Sequence, residues 1–116
     1  MKYACLVYCE SDALGGLNAE EKEALDRDSM AYDEKLMAEG HFIAASALQP
    51  ASTASTIRVR DGKMSMTDGP FAETKEILAG FIFIEAADMD EARRIAAGVP
   101  MARHGSVEVR PELDFG

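Results

Sequence analysis

Two short runs of this chain, Lys2–Cys9 and Gly80–Glu85, carry apolar side chains on both of their faces. Lys-Tyr-Ala-Cys-Leu-Val-Tyr-Cys and Gly-Phe-Ile-Phe-Ile-Glu are too short for ordinary helices and rich in β-formers, so both read as strands. A strand that is apolar on both faces has to be covered on both. The rest of the chain must supply that cover, or something outside it must.

Asn18 followed by Glu21 marks a capped helix start, and Gly40 stops the helix as a left-handed C-cap. Between them Leu25, Ser29, Tyr32 and Leu36 recur at helical spacing as an inner seam, flanked by Ala31 and Met37. The acids Glu20, Glu23, Asp33 and Glu34 mostly fall elsewhere on the wheel. A second helix is capped by Asp88 with Glu91, and its Ala92, Ile95, Ala96 and Val99 follow the same helical rule until Pro100 ends it. Phe42–Leu48 and Ser106–Arg110 read as further strands. Thr56–Arg60 and Lys63–Thr67 flank Asp61-Gly62, the signal for a two-residue hairpin turn. In that register Ile57 faces Met66 and Val59 faces Met64, while Arg58, Arg60, Lys63 and Ser65 line the other side.

With the hairpin set aside, the order is β-α-β-β-α-β, the ferredoxin-like arrangement. The expected fold is therefore α+β, ferredoxin-like with an inserted β-hairpin, and its two doubly apolar strands sit mid-sheet. Two helices cover only one face of such a sheet. A second copy of the chain, sheet against sheet, is the simplest cover for the other, so a homodimer through the sheet face is expected.

The chain's 116 residues make one domain, 1–116. Its net charge is -9, and Glu10–Glu39 alone holds ten acids against three bases. A surface this negative repels phosphate backbones, which argues against nucleic acid and anionic membranes as partners. No run approaches the roughly 18 apolar residues of a membrane span. Tyr3–Cys9 meets Glu10 and Asp12 too soon to be a signal peptide, so a cytoplasmic protein is expected. On a strand, Cys5 and Cys9 would lie about 13 Å apart, beyond disulfide reach. They are expected as buried free thiols, with no metal site and no cofactor. The seven methionines are expected to pack in the core.

The densest chemistry lies at Thr67–Glu76, Thr-Asp-Gly-Pro-Phe-Ala-Glu-Thr-Lys-Glu. Pro70 pushes Gly69 out of the α region, and Asp68 can close an Asx-turn, which is a structural role. Glu73, Lys75 and Glu76 add further charges beside a buried strand. Packed carboxylates and a lysine can shift one another's pKa for acid–base work, or form an ion-pair cluster of little consequence.

Asp68-Gly69-Pro70-Phe71-Ala72-Glu73-Thr74-Lys75-Glu76 resembles the signature of the DGPF group within the YCII-related family. The likeness continues at Gly40, at Ala47-Leu48-Gln49-Pro50, at Gly80-Phe81, at Glu91-Ala92 and at Gly105–Pro111. It implies a dimeric α+β barrel of ferredoxin-like halves, with a cleft between helix, sheet and motif loop. The group has no settled activity and is often linked with extracytoplasmic-function sigma factors. Enzymes of the wider superfamily are thought to pair a histidine on the first helix with an aspartate. This chain has Ser29 near that helix position and Val99 before Pro100, so the pair does not carry over.

The reading that follows is a cofactor-free enzyme acting on a small organic molecule by proton transfer. Asp68 or Glu73 would be acid or base, and Lys75 would stabilise charge. Tyr32, His41, Phe71 and Arg110 would touch the substrate. Three of these have a plainer role: Tyr32 in the core, His41 at a helix C-terminus, and Arg110 paired with Glu108 on the last strand or with the dimer mate. His104 is expected in an exposed loop. The rival reading is a non-catalytic ligand-binding or regulatory interaction module in a sigma-factor or stress circuit.

Overall fold

The computed structural model describes residues 1–13 and 15–114. In chain order the elements are β1 (Lys2–Glu10), α1 (Ala19–Ala38), β2 (Phe42–Ala47), β3 (Ser55–Arg60), β4 (Lys63–Asp68), β5 (Glu76–Glu85), α2 (Met89–Ala97) and β6 (Ser106–Pro111), with short 3-10 turns at Ala51–Thr53 and Pro100–Arg103. The chain is thus mixed α+β, with two helices and antiparallel sheets. Four strands form one sheet in the order β2-β5-β1-β6, and β3 pairs with β4 in a separate ribbon. Every pairing is antiparallel, and the two doubly apolar strands lie in the middle as expected.

Local signals fix the element ends. Asn18 Oδ1 accepts from the Glu21 amide and the Glu21 carboxylate accepts from the Asn18 amide, which closes the capping box. Gly40 ends α1 with φ of 80°. Asp61 and Gly62 take φ of 53° and 73°, the left-handed pair of a type I′ hairpin turn, and Ile57 pairs with Met66 and Val59 with Met64. Asp88 caps α2 by accepting from the Glu91 amide, but the Glu91 carboxylate reaches past Asp88 to the Ala87 amide.

β1 alternates cleanly. Tyr3, Cys5, Val7 and Cys9 are at most 6% exposed and point under the helices. Tyr3, Cys5 and Val7 meet Ile82, Ile84, Leu36, Ile95 and Ala96 in the core, and Leu25 is buried on the inner side of α1. Ala4, Leu6 and Tyr8 point to the other face, in register with Phe83, Phe81 and Leu78.

Several expectations need correction. β5 starts at Glu76 rather than Gly80, because β1 is long enough to pair with it as far as Glu10. A register shift between Val7 and Tyr8 takes up the extra residue. α2 ends at Ala97, and Pro100 opens a 3-10 turn after it. Ala31 and Met37 flank the seam of α1 but are exposed. Met1, Met30, Met37, Met64 and Met66 are all more than half exposed, so only Met89 and Met101 pack on the core. His104 is half-buried at the end of the 3-10 turn. No described helix is long and apolar enough to cross a membrane.

Candidate functional site

The motif that dominates the sequence folds as a bracket. Gly69 has φ of 101°, a region that a side chain would disfavour. Its amide donates to the Ala54 carbonyl at 2.7 Å, and the Thr56 hydroxyl donates to its carbonyl at 2.8 Å. Asp68 is the last residue of β4, opposite Ser55. Asp68, Glu73 and Lys75 are all exposed. Among the described residues none of their side chains bonds to another group, so the structure does not gather the three. Phe71 is 78% exposed.

The expected contact residues are committed elsewhere. The Tyr32 hydroxyl donates to the Ile95 carbonyl at 2.5 Å, tying α1 to α2. Burial raises its pKa, and Glu39 and Cys5 add to the rise. Gly98 lets the Tyr32 ring lie against the end of α2, since a Cβ there would collide with the phenol. His41 Nδ1 lies 2.8 Å from the Glu85 carbonyl. A carbonyl only accepts, so that nitrogen carries the proton. Glu91 lies 3.9 Å from the same nitrogen. Arg110 pairs with Glu108 at 3.0 Å on the face away from the helices, and that bond raises the guanidinium pKa.

The structure opens a different site. Between α1 and the β2–β5 side of the sheet lies a cleft of about 370 Å³. Val7, Leu25, Ala45, Ile82, Val99 and Met101 make its walls apolar, and Asp26, Ser29 and Asp33 bring polar groups to it. Those three stand at i, i+3 and i+7, so α1 presents them in one stripe. Burial pushes the Asp33 carboxyl up from the usual carboxylate range. Among the described residues the side chains of Asp26, Ser29 and Asp33 make no hydrogen bond or ion pair, so all three are free to meet a ligand. Gly80 keeps the cleft's floor thin: a Cβ there would sit 2.7 Å from the Ser46 carbonyl oxygen. The stripe spacing was visible in the sequence. Its facing partner, the inner side of β2 and β5, was not.

A second cleft of about 380 Å³ lies between α1 and the turn after α2, lined by Tyr32, Lys35 and the Asp28–Arg103 ion pair. Its charged groups already have partners. Cys5 and Cys9 are free and buried. Desolvation pushes the Cys5 thiol up to about 11, away from nucleophilic use. Among the described residues no group of three or more His, Cys, Asp or Glu side chains is placed to hold a metal ion.

The family model described as the YCII-related domain matches residues 1–116. A protein of Rhizobium meliloti (strain 1021), described as uncharacterized, is 39% identical over 113 residues, covering 96% of this chain and 91% of that protein.

Proposed function

We propose that this chain, which belongs to the YCII-related family, binds a small organic molecule under α1 and moves a proton on it without metal or cofactor. One observation carries the reading. Asp33 is an uncommitted carboxyl with a raised pKa on the wall of an apolar cleft. A carboxyl whose burial favours the protonated form takes up a proton more readily than an exposed one, which suits it to proton transfer with a ligand in the cleft. Ser29, one turn earlier, is placed to hold a polar substituent of the same ligand, while Leu25, Val7 and Ile82 accept its apolar body.

The DGPF assignment, a ferredoxin-like topology, a cytoplasmic setting and a homodimer through the sheet face belong to the same proposal. The strand order β2-β5-β1-β6 with both helices on one side supports the topology. The uncovered face of Leu6, Tyr8, Leu78, Phe81 and Phe83 supports the dimer. Asp68, Glu73 and Lys75 remain the alternative seat of the chemistry, as an exposed charged loop that a ligand would have to draw together.

Thermal shifts of the parent protein against a panel of small organic acids, alcohols and aromatics test the reading. Hits should then lose at least tenfold in affinity in Asp33→Asn and Ser29→Ala. Loss confined to Asp68→Asn, Glu73→Gln and Lys75→Ala would move the site to the loop. Binding without turnover of any hit would favour the ligand-sensing module over the enzyme.

A further inference from the structure

The β3–β4 ribbon has no use in the function proposed above, and it carries four exposed apolar side chains side by side. Ile57, Val59, Met64 and Met66 are 58%, 59%, 64% and 65% exposed, and the cross-strand pairing sets all four on one face. The ribbon is a sheet of its own, and a two-stranded hairpin left in water is at best marginally stable. The overall shape agrees: the radius of gyration is 16.0 Å, with extents of 46 × 46 × 18 Å. A compact chain of this length would have a radius near 13 Å.

The same chain exposes a second apolar surface. On the sheet face away from the helices, Ile43, Leu78 and Phe83 are 45%, 37% and 38% exposed. At about 100 Å² for each exposed apolar side chain, the ribbon face alone comes to roughly 400 Å², already as large as the main apolar patch of a typical monomer. Two such surfaces on one chain call for a partner.

We propose that the ribbon is an arm that clasps a second copy of this chain. Its face of Ile57, Val59, Met64 and Met66 lies along the β2 edge of the partner's open sheet face, around Ile43 and Phe83 and beside the sheet-on-sheet contact, and the exchange is reciprocal about a two-fold axis. The inference rests on the sheet-face dimer proposed above and adds the arm to it. Area supports a second copy: two arms and the two surfaces they cover bury on the order of 1,600 Å², the size of a standard stable interface. Charge supports it too. Residues 55–67 carry Arg58, Arg60 and Lys63 against Asp61, a net +2, which leaves -11 on the rest of a chain whose total is -9. These cations stand on the ribbon face opposite the contact, so they steer the arm towards an anionic copy at long range rather than pair across the interface, while the body itself repels nucleic acid and anionic lipid.

The bracket at Gly69 then has a purpose. The arm leaves the body at Ala54 and returns at Gly69, and the two hydrogen bonds from Gly69 to Ala54 and from Thr56 to Gly69 staple its legs together. The conspicuous motif sets the arm's base rather than a reacting group.

Sedimentation velocity at micromolar concentration is the first measurement, and a dimeric parent is expected. The double variant Ile57→Glu, Met66→Glu should weaken the dimer at least tenfold with an unchanged far-UV spectrum. Should that variant fold poorly, Met64→Cys on one copy mixed with Phe83→Cys on another reads the same contact through an intermolecular disulfide, with Cys5 and Cys9 buried out of reach. Formation of that heterodisulfide supports the clasp. A dimer that survives the double variant and forms no such disulfide overturns the arm and leaves the sheet-face dimer standing. A monomeric parent overturns both.

Discussion

At the scale of single residues, the structure separates polar groups that hold the fold from those that are free. Tyr32, His41 and Arg110 each have a partner, whereas Asp26, Ser29 and Asp33 have none among the described residues. Asp33 titrates higher in the folded chain than the ordinary value of 3.8, so folding favours its protonated form. Its ionised form is therefore destabilising above the folded pKa, and that cost vanishes below about pH 4. Asp33→Asn should raise the melting temperature at pH 7, with the gain fading as pH falls towards 4; an unchanged difference across that range would exclude burial as the cause. Cys5, with a thiol pKa of about 11, should resist alkylation at pH 8 until the chain unfolds, because only about one thiol in a thousand is ionised there. Counting reactive thiols with and without denaturant checks this.

Single elements depend on a few positions that the sequence marks clearly. Removing the side-chain cap at the start of α1 by Asn18→Ala should cost about 1 kcal/mol in urea unfolding, since the Glu21 amide loses its acceptor while the residue 18 amide keeps the Glu21 carboxylate. Gly69 differs in kind. A Cβ there would meet nothing within 4 Å, yet φ is 101°, so the penalty of Gly69→Ala is purely one of backbone conformation. A loss of about 1–2 kcal/mol is expected, and Gly69→Asn should lose less because asparagine tolerates positive φ. Equal losses would point to a packing role instead.

Across the whole molecule, one face of the four-stranded sheet is closed by helices and the other is open, with a projecting ribbon beside it. In a clasped dimer the amides of Ile57, Val59, Met64 and Met66 lie in a covered ribbon. Their hydrogen exchange should be slow at micromolar concentration and speed up at least tenfold in the Ile57→Glu, Met66→Glu variant. Fast exchange in the parent would mean that nothing covers the arm.

Local rules were enough for much of this. The caps at Asn18, Gly40 and Asp88, the Asp61-Gly62 turn and its register, and the central place of two doubly apolar strands all follow from contacts between near neighbours or from the two-residue period of a strand. The start of β5 did not follow, because strand length is set by the pairing partner, and β1 carries the pairing past Gly80 to Glu76. Nor did the fate of the methionines, which depends on whether a segment packs on the core or projects from it. The site was hidden for the same reason. Asp26, Ser29 and Asp33 share a helix face in the sequence, but only the tertiary structure sets the inner side of β2 and β5 across from them and leaves room between. The charges of Asp68–Glu76, dense in the sequence, are spread along a turn and into a strand, so adjacency along the chain did not become adjacency in space.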